Sequence, residues 1–264
     1  MKITKWTLKQ RKWSTLWWSV GLVAYITLTL IFYPSIKNQT AQLDKSFDQI
    51  PQSAKALFTD TQDLFTPVGY LSSQLFYLML PLLLAVLAIG LGSSLIAREE
   101  DSGTIELLLS RPVSRSSLLV QKALAGLVIL FVVSAVCLLV ILGLNNAVGL
   151  HIGAEPIAVA TLYSFALAAL FGAVALAVAS TGRAGRLASV GVAAMVGLAS
   201  YLVASLSSVV SWLEWPAKLA PNHYYHPAEI LSGHYEWWPL VGYTAVIAVL
   251  LVAAVTSFRR RDIG

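Results

Sequence analysis

Charge is scarce in this chain. Asp, Glu, Lys and Arg make up 12% of its 264 residues, against 57% hydrophobic, where a soluble domain carries roughly 25% charged residues. The single cysteine, Cys137, excludes an internal disulfide and reads as a small packing residue inside an apolar run. Signatures of soluble enzymes are missing as well. There is no Gly-x-x-x-x-Gly-Lys-Ser/Thr loop to cradle nucleotide phosphates, no Gly-x-Ser-x-Gly elbow and no His-Glu-x-x-His pair. ATP hydrolysis by this chain alone is therefore excluded, and no catalytic residue and no metal ligand set is assigned.

What is present is apolar sequence in long runs. Six stretches, about 14–33, 75–97, 119–144, 157–180, 187–210 and 238–258, are long enough to cross about 30 Å of hydrocarbon at 1.5 Å per residue. The expected fold class is an all-α polytopic membrane protein with one transmembrane domain over 1–264. The first run is Trp-rich, lacks a small-residue cleavage site and precedes five more spans, so it reads as retained. Of the 18 lysines and arginines, all but Lys37, Lys45, Lys55 and Lys218 fall at the N-terminus, in alternate connections, in the tail or, for Lys122, just inside the third span. The positive-inside rule then puts both termini and the second–third and fourth–fifth connections in the cytoplasm. The net charge of +5 is a topology signal, and no nucleic-acid partner is expected.

The spans are nearly dry. No Asp, Glu, His, Lys or Arg occurs within 75–97, 157–180, 187–210 or 238–258. Ion-driven carriers place such groups in the membrane to couple the driving ion, so the force is expected from outside the bilayer. Small residues recur at four-residue spacing, as Ala169, Ala173 and Ala177 and as Ala193 and Gly197. They suit close packing within one bundle, with a dimer seam as the alternative. Gly92-Ser93-Ser94 reads as a close-packing site together with Gly90.

Segments outside the spans have patterns of their own. From 1–13 into the first span, Ile3, Trp6, Trp13 and Trp17 make one helical stripe interrupted only by Gln10, and Lys2, Lys5, Lys9 and Lys12 make another. This fits an interfacial helix among membrane lipids; a plain positive-inside anchor explains the lysines equally. The external connection 34–74 predicts a short helix from Leu43, Phe47 and Ile50, ended by Pro51, with Phe58, Leu64 and Phe65 at the outer interface. The connection 211–237 sets Trp212, Leu213, Trp215, Leu219, Ile230, Leu231, Trp237 and Trp238 among Pro216, Pro221 and Pro227. It predicts a broken external hairpin of two short helices, part of an outer gate. His223 and His226 with Glu229 allow two readings, a metal site or interfacial side chains whose alignment Pro227 breaks.

The loop 98–117 is the most informative stretch. Arg98, Glu99, Glu100 and Asp101 follow the second span directly, and Gly103-Thr104 opens a short helix with Ile105, Leu108 and Leu109 on one face. Arg111-Pro112 closes it, and Ser114 can cap the next helix. A compact amphipathic turn tied at both ends has the shape of a docking element.

This stretch resembles the permease subunits of ABC-2 type ABC transporters. The match reads Glu99-Glu100-Asp101-Ser102-Gly103-Thr104, then Ile105-Glu106-Leu107-Leu108-Leu109, then Ser110-Arg111-Pro112-Val113-Ser114-Arg115. The resemblance extends to the six spans, an N-terminal interfacial helix, a broken external hairpin before the last span and the tail Phe258-Arg259-Arg260-Arg261-Asp262. It implies that 98–115 is a cytoplasmic coupling helix seated on a separate ABC ATP-binding subunit, through Arg98, Glu99, Glu100, Asp101, Gly103, Thr104, Ile105, Glu106, Leu108, Leu109, Arg111, Pro112 and Arg115. It also implies two ATPases with two permeases, the second permease identical or paralogous, in a prokaryotic plasma membrane. No cofactor is expected on this chain; ATP and Mg belong to the partner. Export is the commoner direction, and the apolar composition suits lipids, amphipathic peptides or hydrophobic drugs as cargo. Other readings are a non-transport anchor or sensor that recruits a cytoplasmic partner, a secondary carrier, and an intramembrane enzyme, for which no nucleophile–base pair is visible.

Overall fold

The structure is a computed structural model that describes residues 2–37, 51–60, 64–101, 114–182 and 185–260; of residues 2, 52, 96–101 and 115 it describes the backbone alone. Six long helices dominate: α1 (Lys2–Ile31), α2 (Met79–Asp101), α3 (Arg115–Asn145), α4 (Ala154–Ser180), α5 (Arg186–Leu206) and α6 (Trp238–Arg259). Each coincides with one of the six apolar runs and is long and apolar enough to cross a membrane. The chain is an all-α polytopic membrane protein, and no strand occurs among the described residues. Leu, Val and Ala fill these helices because hydrocarbon offers no water to backbone N–H and C=O groups, which must pair within the helix.

The helix α4 is the centre of the bundle. It packs most extensively on α2, then on α6, α5 and α3, while α1 lies outside on α3. Its Ala-rich sequence, with Gly172 near the middle, explains the position, because small side chains let four neighbours approach one axis. Ala169 and Ala173 are buried against these neighbours, and Ala193 of α5 is fully buried. A Cβ added to Gly197 would meet the ring of Phe171 at 3.7 Å. The expected small-residue packing therefore lies inside one bundle. For Gly92 the partner differs from the expectation. Its neighbour is Gly172 of α4, whereas Gly90 has nothing within 4 Å of an added Cβ.

Three further differences from the sequence reading have physical causes. The expected surface helix 1–13 and the first span are one uninterrupted helix, α1. No Pro or Gly occurs between Lys2 and Val20 to break it, and Thr4 and Thr7 are buried on the protein side. The second span is extended at its start by Pro67–Leu71 and a π-helical turn, Ser72–Phe76, in which the Tyr77 N–H donates to Ser72 O at 2.7 Å. Leu64, expected at the interface with Phe58, is instead buried, and Phe58 is exposed. The helix expected around Leu43, Phe47 and Ile50 lies outside the described residues.

Connections alternate between the two ends of the bundle. One end holds the start of α1, the ends of α2 and α4, the starts of α3 and α5, and the end of α6. The other end gathers 51–66, the turn after α3 and the segment 207–237. There Asn145 closes the turn with two bonds to Ile152, Nδ2 donating to the carbonyl at 2.8 Å and Oδ1 accepting from the N–H at 3.2 Å. This pairing holds His151 at a φ of 54° and Gly149 at 79°.

Candidate functional site

Of the residues assigned to docking, Gly103, Thr104, Ile105, Glu106, Leu108, Leu109, Arg111 and Pro112 lie outside the described residues. Arg98, Glu99, Glu100 and Asp101 form the backbone of the last turn of α2, and Arg115 opens α3. The structure therefore describes the base on which this loop stands. Ser114 caps α3 as its type predicts: its backbone is extended and its Oγ accepts from the Ser117 N–H at 3.3 Å.

Beneath the loop ends lies a separate apolar cluster of Leu95, Leu118, Leu119, Ala123, Leu176, Ala254 and Phe258, with Ile3 packed on it. It draws α1, α2, α3, α4 and α6 together at one level. Polar ties surround it. Lys122, only 3% exposed, donates from Nζ to the Leu95 carbonyl of α2 at 2.7 Å. Such charge-assisted bonds are among the stronger ones available to a side chain. Arg11 of α1 donates from Nη2 to Ser94 Oγ at 2.7 Å, and Thr4 Oγ1 donates to the Gln121 carbonyl at 3.1 Å. The two ends of the loop are thus fastened to each other and to α1. Lys122 and Arg11 entered the sequence reading only as positive-inside charges. Their inward direction depends on helix rotation, which neither Lys122 alone in an apolar run nor Arg11 among Lys9 and Lys12 reveals.

The opposite end carries a cap. It consists of Ser211–Leu213, Glu214–Ala217, Pro221–Tyr224 and Pro227–Leu231, four short turns rather than the two helices expected. Pro221 and Pro227 each open a turn of their own, where the missing backbone donor is not needed, and Pro216 lies inside Glu214–Ala217. The cap is amphipathic: Trp212, Trp215 and Leu219 are exposed, while Ala217, Tyr225, Ile230 and Leu231 are buried.

Tyrosine hydroxyls fasten this cap to the bundle. Tyr225 Oη donates to the Phe76 carbonyl at 2.9 Å and shares a 2.9 Å bond with Ser164 of α4. Tyr243 of α6 donates to the Pro221 carbonyl at 2.9 Å, and Tyr163 of α4 donates to the Glu236 carbonyl. Asn222 pairs twice with Ser200 of α5, at 2.7 and 3.1 Å. Asp60 adds a latch that the sequence did not single out. One oxygen accepts from Ser72 Oγ at 2.7 Å and the other from the Ala228 N–H at 2.8 Å, at the start of Pro227–Leu231. Burial raises its carboxyl pKa above the usual value, against the bonds from Ala228 and Ser72 and the nearby His226, which pull it down. No local signal could have found it, because Asp60 and Ala228 are 168 residues apart in sequence.

His223 and His226 pack edge to face with ring centroids 6.4 Å apart. Among the described residues, no three His, Cys, Asp or Glu side chains converge as a metal set would. Burial and the neighbouring His226 and Lys218 lower the His223 pKa, which favours the neutral ring.

No curated relative matches the chain. Comparison with protein families matches residues 7–263 to the ABC-2 family transporter proteins. That span takes in α1 from Thr7 onward, the other five helices and the cap. The chain belongs to the ABC-2 transporter family, as a multi-pass membrane subunit of an ABC transporter rather than its ATPase.

Proposed function

We propose that this subunit is the permease of an ATP-driven exporter, powered by a separate ATP-binding subunit that docks on residues 98–115 from the cytoplasm. Two permeases, identical or paralogous, and two ATPases make the working assembly, with ATP and Mg held by the latter. Both permease termini are cytoplasmic, in a prokaryotic plasma membrane, and the cap faces outward. The observation that carries this reading is the tied base beneath the loop. Leu95 and Lys122 join α2 to α3, and Arg11 with Ser94 joins α1 to α2.

A push on the loop therefore has a route through the bundle. It moves the ends of α2 and α3 together and drags α1 with them. The α2–α4 contact carries the tilt to α4, whose Ser164 and Tyr163 hold the cap. The π turn before α2 holds it as well, through Ser72 and the Phe76 carbonyl. Pulling both sets of bonds would open the cap to cargo.

Leu108→Asp or Leu109→Asp tests the docking role. Either change puts a charge on the apolar anchor, so the ATP-binding subunit should no longer co-purify while the permease still inserts in the membrane. Undiminished co-purification with both variants would refute docking through this face.

A further inference from the structure

We infer that the groove between α1 and α3 binds one phospholipid with an anionic headgroup, held by Lys12. The groove is open along one side and has a volume of about 1030 Å³. Its walls include Leu16, Val23 and Leu28 of α1 and Val132 and Val136 of α3, and Lys12 is the one charged side chain lining it among the described residues. Lys5 and Lys9 continue the same side of α1 beyond Lys12, both exposed. One helix face thus changes from cationic to apolar along its length.

Depth and dimensions fit a lipid. Trp13 and Trp17, 62% and 69% exposed, flank this level, where aromatic rings mark the membrane interface. The Lys12 ammonium lies 5.7 Å from the centroid of the Trp13 ring. From Lys12 to Leu28 the wall runs about 24 Å at 1.5 Å per residue. One leaflet of hydrocarbon is about 15 Å deep, so an acyl chain is covered along its whole length. A negative head at Lys12 with an alkyl tail along Leu16 and Val23 satisfies both ends of the groove.

A second copy of this chain would match the apolar wall but not the charge. Two-fold pairing across α1 would bring two rows of Lys5, Lys9 and Lys12 together. α1 carries no Asp or Glu to offset them.

Native mass spectrometry of the full-length, delipidated chain titrated with phosphatidylglycerol or phosphatidylcholine tests this site. Phosphatidylglycerol should bind more tightly. Lys12→Gln should weaken it about fivefold, since one lysine near the surface contributes about that factor, and leave phosphatidylcholine unchanged. Lys12→Arg should retain the preference. Val132→Phe, at a position 44% exposed where a larger side chain leaves the core intact, should narrow the groove and weaken both lipids. Equal affinity of the wild-type chain for the two lipids would overturn the site, as would phosphatidylglycerol binding unaltered by both Lys12→Gln and Val132→Phe. Disulfide-linked dimers of a Val23→Cys, Cys137→Ala variant in native membranes would also overturn it, by assigning the groove to a second copy.

Discussion

Gly92 of α2 and Gly172 of α4 meet backbone to backbone: a Cβ on Gly92 would stand 2.2 Å from the Gly172 carbonyl oxygen. A Cβ on Gly172 would lie 2.9 Å from the Ala88 carbonyl oxygen in return. Neither obstacle is a flexible side-chain end. Gly92→Ala should therefore force the helices apart and destabilise the protein by about 3 kcal/mol, the upper range for overpacking. Gly90→Ala, with open space around it, should stay within about 0.5 kcal/mol. Thermal unfolding of both variants in the same detergent checks the contrast.

The Tyr225 hydroxyl bridges the cap to the π turn before α2 and to α4 at once. Tyr225→Phe keeps the ring and removes both bonds, so the cap should loosen by about 1–2 kcal/mol, the worth of buried hydrogen bonds without charge. The expected readout is faster amide exchange over 221–231, with the cores of α3 and α4 unaffected. Unchanged exchange there would mean that packing alone holds the cap.

The Asp60 latch predicts a pH dependence of definite sign. Its folded-state pKa is raised, chiefly by burial, so the protonated carboxyl is the form the fold favours. Its stabilising contribution is complete below the ordinary carboxylate pKa, about 3.9. That contribution is lost as pH rises through the elevated folded value. Asp60→Asn, neutral throughout, should flatten this part of the stability profile between acid and neutral pH. Thermal unfolding across that range, wild type against variant, is the measurement.

Sidedness is tested with thiols. Cysteines replacing Trp212 or Leu219, 73% and 75% exposed on the cap, should react with an impermeant thiol reagent applied to intact cells. Cys137, fully buried in α3, should stay unlabelled and serves as the internal control. Labelling confined to inverted vesicles would reverse the proposed orientation.

How much of this was legible in the sequence depends on the range of the interaction. Hydrophobic run length placed all six helices, because the need to satisfy backbone groups in hydrocarbon acts on each segment alone. Ser114 was legible for the same reason, since a cap acts within one turn. Small-residue spacing pointed to close packing but not to partners. Gly92 and Gly90 look equivalent on paper, and only the rotation of α2 sends one toward Gly172 and the other into open space. The fastenings of the cap were not legible. Tyr225 reaches Phe76 across 149 residues and Asp60 reaches Ala228 across 168, and nothing local to those side chains records the distance. The residues proposed to dock are the reverse case. Their motif is explicit in the sequence, while the structure describes only the backbone of residues 98–101 and 115 at its two ends.

Where Gly92 touches Gly172 there are no side chains to change rotamer and absorb a shear. Packed interiors yield in discrete steps rather than by gradual deformation, so these two helices should pivot as a single stave. α2, with 23 residues, is about 35 Å long at 1.5 Å per residue. A tilt of a few degrees at its foot then becomes a displacement of ångströms at its head, which is leverage enough to break a hydrogen bond.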